Sequence, residues 1–474
     1  MRAKYRLADS EIDALVEWIA DGAPDPRRGD GHDTAPQRTI DIEAGKQFWA
    51  FQKPQQQALP SLKDESWPAS DLDRFLLAGL EANGLAPALP ASREVLLQRA
   101  TFDLTGLPPT VQEIDGFKSD PANDRTAFSK VVDRLLASPQ FGERWGRHWL
   151  DVVRYGESMG RTRNYPFPYA WKYRNYVIDV FNNDLSFDQF VTEQIAGDLL
   201  ESTTDAERDR RKVATGFLAL GSHDLNERNQ QKFKMDRVDE QVDVTGRAFM
   251  ALTTGCARCH DHKFDPIPTE GYYALAGIFA STDTRMGYAA RQGGNKGNLF
   301  KPDRFVALTP VPDAPQSKAV EPEAIVPEST GELDRARKKL AQLKRDRKKA
   351  LANTAKNAKK RGKQLQNQIR RQNQLIAKLE KNDNGRRKPL PIDLAMGVTE
   401  GESISDCKVN LRGDPSKLGD RVPRGFLQVV ATAGTHTIPK DQSGRLELAE
   451  WLTGSDHPLS RQFCELLATE SHHY

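Results

Sequence analysis

The residue pattern most suited to chemistry is Cys256-Ala-Arg-Cys259-His260, near the middle of the 474-residue chain. Two thiols at this spacing can each form a thioether bond to one vinyl group of a haem, and the histidine that follows can be an axial ligand of the iron. With four cysteines and nine histidines in the chain, a chance match has odds of about one in a thousand. The spacing therefore predicts a covalently attached haem c, with His260 as its proximal ligand.

Three other interpretations of the two thiols remain open. A Cys-x-x-Cys pair can be half of a zinc site, but the other cysteines, Cys407 and Cys464, lie 57 residues apart and form no second half. His260, directly beside Cys259, would also strain a shell around a single metal ion. A thioredoxin-like redox pair would need a βαβ pattern, which the flanking sequence lacks. A plain disulfide between Cys256 and Cys259 is the simplest alternative.

The second axial position of a haem iron needs another histidine or methionine, or it stays open. His148 is the first candidate, because the helix predicted from Gly142 to Tyr155 combines it with tryptophans and arginines that suit a haem and its propionates. The structural interpretation is that Asp151, three residues on, holds His148 in a buried salt bridge. An open or water-filled position comes next, and the remaining candidates are His223, Met235 and Met286.

Helices are predicted on both sides of the motif. One leads to Cys256 and is indicated by the spacing of Val238, Val242, Phe249 and Leu252. The other is capped by Thr269 and runs to Phe279. Between them, Asp261–Pro268 is polar and contains two prolines, so a non-helical turn is expected. Earlier in the chain, Asp71–Ala82 is predicted to be a helix whose core-facing side chains are Leu72, Phe75, Leu76 and Leu80.

The positive charge of the chain is concentrated in one segment. Residues 331–388 contain 21 lysines and arginines and 5 acidic residues, a net charge of +16, so the rest of the chain carries −13 of the total of +3. Because the excess belongs to one segment, it does not mark the whole protein as a nucleic-acid binder. No apolar run approaches the roughly 18 residues that a membrane-spanning helix requires.

This basic segment has heptad-like apolar spacing, carried by Leu333, Leu340, Leu343, Leu365, Ile369, Ile376 and Leu379. Residues 353–363 lack large apolar side chains and include Gly362, so we expect two helices folded into an antiparallel hairpin. It is either a solvated structural arm or a surface for an acidic partner or anionic polysaccharide. Residues 391–432 alternate enough to indicate a small β-unit.

The first residues do not form a signal peptide, although haem c is attached outside the cytoplasm. Leu7–Gly22 is predicted to be an amphipathic helix with the apolar stripe Ile12, Leu15, Val16 and Ile19. A single helix followed by a proline-rich polar run has nothing to pack against. We therefore expect it to be the last helix of a domain that lies upstream, with the original N-terminus missing.

Several motifs of this chain resemble the planctomycete DUF1549 domain, a cytochrome-c-like module: Asp103–Pro109, Glu143–Asp151, Cys256–Ile267 and Tyr272–Ala280. The resemblance covers roughly residues 46–285 and implies a helical haem c module whose biochemical role is not established. Leu7–Pro24 is similar to the closing helix of the small cytochrome c domain that precedes it. Two later segments, Gly413–Phe426 and Gly444–Leu459, resemble the join to a DUF1553 domain, which breaks off here.

The predicted fold class is mainly α, a helical haem c-type module with a coiled-coil hairpin insertion and a small β-unit. The predicted order is an upstream cytochrome c remnant (1–24), a linker (25–45), the DUF1549-like module (46–285), a second linker (286–330), the basic hairpin (331–388), the β-unit (389–443) and the truncated start of a DUF1553-like domain (444–474).

The preferred function is electron transfer through haem c in the periplasm or cell envelope, with an unidentified redox partner, no nucleic acid and no membrane span. The alternative is a haem- or metal-dependent enzyme that acts on an extracellular substrate such as a polysaccharide. Its acid–base or metal chemistry would use the polar residues Asp151, Arg154, Asp261, His262 and Asp265. A third hypothesis is a non-redox interaction protein that uses the basic hairpin.

Overall fold

The computed structural model describes residues 8–22, 40–161, 164–288, 301–309, 329–351, 364–376, 393–430 and 437–459. The chain divides into two units, residues 1–41 and 42–474. Most regular structure is helical, with only short strands, which confirms the predicted mainly α fold class. Most of the predicted linker 25–45, and both Leu379 and Cys464, lie outside the described residues.

The first unit contains the predicted N-terminal helix, α1 (Asp9–Ala20). The Glu11 carboxylate accepts a hydrogen bond from the Ala8 N–H at 2.8 Å and so caps its first turn. Gly22 follows the helix with a left-handed backbone (φ +85°), a common conformation for glycine at a helix end. The predicted apolar stripe is exposed. Its origin in an upstream cytochrome c domain stays a prediction.

The second unit begins with short helices, each started by a capping side chain where the sequence provides one. They are α2 (Ile42–Lys46), α3 (Asp71–Ala82), α4 (Arg93–Thr105), α5 (Val111–Ser119) and α6 (Asp124–Leu136). The caps of α3 to α6 are Ser70, Ser92, Thr110 and Asn123. A small core between α4, α5 and α6 is formed by Leu97, Ala100, Phe117, Ala127, Val131 and Leu135.

The prediction of which side of α3 faces the core is wrong. Leu72, Phe75 and Leu76 are exposed, whereas Leu77 is 2% exposed and is the buried residue of the helix. Periodicity identifies an apolar stripe but does not provide a partner for it. Here the buried residue is the one beside the stripe.

The main helical layer follows, and it includes the helix that leads to the motif. Its members are α7 (Pro139–Val152), α8 (Ala170–Asn182), α9 (Phe187–Ala196), α10 (Asp205–Ala214), α11 (Gly216–Ala219), α12 (Gln230–Met250) and α13 (Thr269–Ala280). The core of this layer is rich in aromatic rings. Close packing of α7 on α8 requires Gly142, because a Cβ there would collide with the backbone oxygen of Ile178. The Gly142 N–H also donates to Asn182 Oδ1 at 2.8 Å.

Three two-stranded antiparallel sheets complete the described part of this unit. β1 (Thr282–Arg285) pairs with β4 (Gly397–Glu400), and β2 (Val306–Ala307) pairs with β3 (Leu394–Ala395). β5 (Cys407–Asn410) and β6 (Leu418–Val422) form a hairpin with a register shift. The predicted β-unit therefore contains strands, but two of them complete sheets that begin directly after the helical layer.

The segment that resembles the start of a DUF1553 domain docks on this layer as α16 (Arg445–Thr453), which packs against α9. Arg445 is fully buried and pairs with Asp198 at 2.6 and 2.8 Å and with Glu400 at 3.2 Å. Burial alone would lower the pKa of the Arg445 guanidinium, but the two carboxylates raise it. The ion pair therefore fixes α16 to the 3₁₀ turn Gly197–Leu199 that follows α9 and to β4.

The basic segment contains α14 (Ser329–Leu351) and the helical residues 364–376, here called α15. Ile369 and Ile376 are buried, and Gln372 Nε2 donates to the Ala336 carbonyl at 3.1 Å. This bond joins the early part of α14 to the middle of α15, as an antiparallel hairpin requires. In the part of the chain that the structure describes, no helix is long and apolar enough to cross a membrane.

Candidate functional site

The motif lies in a turn that folds back against α12. Ala251 ends α12 with a left-handed backbone (φ 52°), and its N–H donates to the Gly246 carbonyl. Gly246 has little free space, because a Cβ there would lie 3.0 Å from the Leu252 oxygen. The chain then forms a 3₁₀ turn, Gly255–Arg258. We call residues 255–268 the motif turn.

Arg258, inside the motif, anchors this turn to α12. Its guanidinium donates to Asp239 Oδ2 at 2.9 Å and to Asp236 Oδ1 at 2.8 Å. Burial opposes the charge of Arg258, but the two carboxylates outweigh it and raise the pKa of the guanidinium. The Tyr272 hydroxyl donates to Asp239 Oδ1 at 2.5 Å and ties α13 into the same network.

Tyr273 adds a second anchor on the other side of the turn. Its hydroxyl donates to the Arg258 carbonyl at 2.9 Å and lies 3.3 Å from the Asn410 carbonyl of β5. Burial raises the pKa of Tyr273 to about 12, so the hydroxyl keeps its proton at neutral pH. The motif turn is thus held between α12, α13 and the β5–β6 hairpin.

The two thiols are presented outward by this anchored turn. Cys256 and Cys259 are both free and exposed, while Ala257 between them is 0% exposed. The Cys259 N–H donates to the Cys256 carbonyl at 3.2 Å. Cys256 lies in the 3₁₀ turn and Cys259 is the residue that ends it. The motif follows a helix rather than a strand, which is unlike the setting of a thioredoxin-like pair.

His260 is exposed beside the thiols, and one of its ring nitrogens has a partner. Nδ1 lies 2.8 Å from the Asp261 carbonyl oxygen. Since a carbonyl only accepts, Nδ1 carries the proton, and the lone pair of Nε2 is left for a metal. Histidines that ligate metals commonly make this bond with their other nitrogen. Two free thiols and a histidine of this tautomer fit a covalently attached haem.

The neighbouring polar side chains of the motif turn form hydrogen bonds with its backbone. His262 is 4% exposed, and its Nδ1 accepts a hydrogen bond from the Asp265 N–H at 2.9 Å. Asp261 Oδ1 accepts from the Thr269 N–H at 2.9 Å, at the start of α13. These contacts hold the backbone of the turn and leave His262 and Asp261 engaged in structural roles.

The other two polar residues suggested for enzyme chemistry lie in separate settings. Asp151 is exposed, 3.9 Å from Arg147 on the surface of α7. Arg154 pairs with Glu240 at 3.0 Å and donates to the Leu220 carbonyl at 3.2 Å. Burial lowers the pKa of the Arg154 guanidinium, against the opposing effect of Glu240. Among the described residues, no group of three or more His, Cys, Asp or Glu side chains is placed to hold a metal ion.

The candidates for the second axial ligand differ in burial. His148 is exposed on α7, with its ring centroid 5.5 Å from that of Trp145. Its expected salt bridge with Asp151 is absent from the described residues, since Asp151 faces Arg147. Met235, Met286 and His223 are buried. His148 as a distal ligand stays a prediction.

A glycine that sequence reasoning did not connect with the motif lies against it. Gly413 ends the 3₁₀ turn Leu411–Gly413 with φ +74°, and a Cβ there would overlap Cys259 Sγ. Next to it is an open cavity of about 330 Å³ between Asp261 and Glu270 on one side and Val409 and Leu411 on the other. Gly413 was visible only as part of the DUF1553-like resemblance. Its left-handed backbone explains why glycine stands there.

The sequence did not predict that Arg258, Tyr272 and Tyr273 anchor the motif turn together, although all three lie in the motifs named above. Two carboxylates three residues apart, Asp236 and Asp239, lie on one face of α12 and were the available signal.

Residues 71–284 match the model of the PSCyt2 family, described as a protein of unknown function (DUF1549). The match includes the entire motif turn. No curated protein matches the chain, and no solved structure matches it.

Proposed function

Residues 71–284 are a DUF1549 domain, and we propose that it binds haem c covalently through Cys256 and Cys259, with His260 as the proximal ligand. The observation that carries this proposal is the presentation of the three side chains. Both thiols are free and exposed on an anchored turn, and the Nδ1 bond to the Asp261 carbonyl leaves the His260 Nε2 lone pair available.

A bound haem would supply one-electron redox chemistry at its iron. The chain contributes the fixed geometry of its ligands. The two thiols would hold the group, and the Asp261 carbonyl orients the His260 ring. The Arg258 and Tyr273 anchors keep the turn in place.

From this chemistry we infer electron transfer in the periplasm or cell envelope, where haem c is attached. The redox partner is unidentified. An upstream cytochrome c domain and a downstream DUF1553 domain of a longer protein are the expected neighbours. We do not favour the enzyme alternative, because its five polar residues are divided between structural contacts on the motif turn, α7 and α12.

The test is expression in the envelope together with the haem-attachment machinery, followed by mass spectrometry and absorption spectra of the denatured protein. We expect one haem to stay bound to the wild type and none to the Cys256→Ala, Cys259→Ala double variant. Cys407→Ala is the matched control, since Cys407 lies on β5 outside the motif, and it should keep the haem. Wild-type protein without haem, or a double variant that retains it, would contradict the proposal.

His148 is proposed as the distal ligand and has a separate test. If it binds the iron, His148→Ala should change a low-spin ferric spectrum to a high-spin one. An unchanged low-spin spectrum would exclude His148 and direct attention to Met235, Met286 and His223.

A further inference from the structure

The hairpin of α14 and α15, here called the basic arm, carries a large excess of positive charge. In its helices 329–351 and 364–376, eleven lysines and arginines accompany three acids, Glu332, Asp334 and Asp346. Asp346 itself accepts a hydrogen bond from Gln342 at 3.1 Å. Six exposed cations form no ion pair within the described part of the chain: Lys338, Lys339, Lys344, Arg345, Arg370 and Arg371.

This pattern differs from that of an ordinary solvated helix. Exposed helices usually alternate charges so that opposite signs stand three or four residues apart, which stabilises the helix. On α14, Glu332 and Asp334 can offset Arg335 and Lys338 near its start, but further along Lys344 stands three residues before Arg347, and the cations outnumber the acids nine to three. Like charges at these spacings cost stability, and a bound polyanion would remove that cost.

The neutral surface of α15 indicates which polyanion fits. Between its cations, α15 exposes a series of amide side chains: Gln364, Gln366, Asn367, Gln368, Asn373 and Gln374. An amide has both a donor and an acceptor, so it suits the hydroxyl groups of a sugar. Lysine and arginine suit the sulfate or carboxylate groups of an acidic sugar. The arm thus combines both kinds of group that an anionic polysaccharide requires.

Two other anionic partners fit less well. Residues 331–388 contain no Phe, Tyr or Trp, so the arm has no ring on which a nucleic-acid base could stack. An anionic membrane would need a free apolar face, but Ile369 and Ile376 are buried in the hairpin seam. We propose that the basic arm binds an anionic polysaccharide through the exposed lysines and arginines of α14 and α15 and the amides of α15.

The experiment measures binding of the full chain to dextran sulfate and to polygalacturonate, with neutral dextran as the blank and duplex DNA as the competitor class. The sulfate and carboxylate polymers distinguish the two possible sources of anionic charge. We expect binding to at least one acidic polymer, weakening as salt rises, and at least about tenfold weaker binding after Lys338→Gln, Lys339→Gln, Lys344→Gln and Arg345→Gln are combined.

The matched control removes four exposed cations elsewhere, by Lys63→Gln, Arg125→Gln, Lys130→Gln and Lys417→Gln. It has the same net charge as the arm variant and should bind like the wild type. Replacing Lys338, Lys339 and Lys344 by arginine keeps the charge and should retain binding, and an unchanged helical signal by circular dichroism shows that the glutamine variant stays folded. Equal loss in the control, no binding to either acidic polymer, or tighter binding to duplex DNA would overturn the proposal.

Discussion

The motif turn and the basic arm are both visible in the sequence, but they are held in opposite ways. The motif turn has contacts far along the chain: Tyr273 reaches Asn410, 137 residues away, and Cys259 lies against Gly413. The arm is closed by contacts within itself, such as the bond from Gln372 to Ala336 across 36 residues.

This difference predicts which substitutions should destabilise each region. The chemistry of the motif turn is local, but its shape depends on α12, α13 and the β5–β6 hairpin together. The arm depends on its own seam. Changes in the anchors should therefore affect the whole second unit, whereas changes in the arm should stay local.

The largest effect is expected for Arg258→Met. The substitution leaves Asp239 without a cation, and Asp236 with Lys232 alone, at a site where the Arg258 side chain is 15% exposed. Breaking a mostly buried pair in this way should lower the free energy of unfolding by about 3 kcal/mol. Denaturant unfolding measures it. Arg247→Met is the control, because Arg247 and Asp243 form an exposed pair on the same helix, worth about 0.5 kcal/mol. Equal losses of unfolding free energy in the two variants would contradict the role of Arg258 as an anchor of the motif turn.

Gly413→Ala should follow, with a loss of about 2 kcal/mol from the left-handed backbone and the collision with Cys259 Sγ. It should also alter the rate at which Cys259 reacts with a thiol reagent. Gly425→Ala is the matched control and should cost little stability, since a Cβ at Gly425 would meet only Ala274, at 3.8 Å. A Gly413→Ala variant of unchanged stability, in which Cys259 reacts at the wild-type rate, would show that Gly413 does not restrict Cys259.

A fall in pH should destabilise the helical layer around His223 by a similar free energy, and it should leave the arm unaffected. Burial, helped by the charge of Arg237, lowers the pKa of His223 to about 3. The folded state keeps His223 neutral, while the unfolded chain takes up a proton below its usual pKa of about 6.5. This stability is therefore complete above that pH and is lost as pH falls, by about 2 kcal/mol between pH 7.5 and 5.0.

Unfolding at the two pH values measures this loss, and His223→Gln should remove about that much of the pH dependence. His148→Ala, an exposed histidine, should leave it in place. The arm contains no histidine between residues 331 and 388, so its helical signal should not follow the same change. A pH dependence that survives His223→Gln would rule out this group as the cause.

The smallest effect is expected for deletion of residues 333–382. Because the seam is formed by the arm's own side chains, including Ile369 and Ile376, removing it should change the unfolding free energy of the remainder by less than about 0.5 kcal/mol. Circular dichroism and haem content report the outcome. Loss of haem or collapse of the remaining helical signal would show that the arm belongs to the core.

Sequence reasoning found the elements that depend on local signals. The helix before the motif, the helix after it and the hairpin seam at Ile369 and Ile376 follow from apolar spacing, which acts over a few residues. The predicted cap at Thr269 is wrong, because Pro268 is the N-cap of α13 and provides no side-chain hydrogen bond. The DUF1549 resemblance is confirmed over residues 71–284 for the same reason, since its motifs are short runs of the chain. The neighbouring cytochrome c and DUF1553 domains stay predictions.

The sequence by itself determined the spacing of Cys256, Cys259 and His260, the helices on either side and the concentration of charge in the arm. Only the tertiary structure decided which groups support that spacing. The inward face of α3 was predicted wrongly because a stripe does not specify a partner, and Leu77 is the buried residue instead. The Arg258 network and the contact of Gly413 with Cys259 join residues that are distant along the chain, and hydrogen bonds and close packing at that range leave no periodic signal in a single sequence.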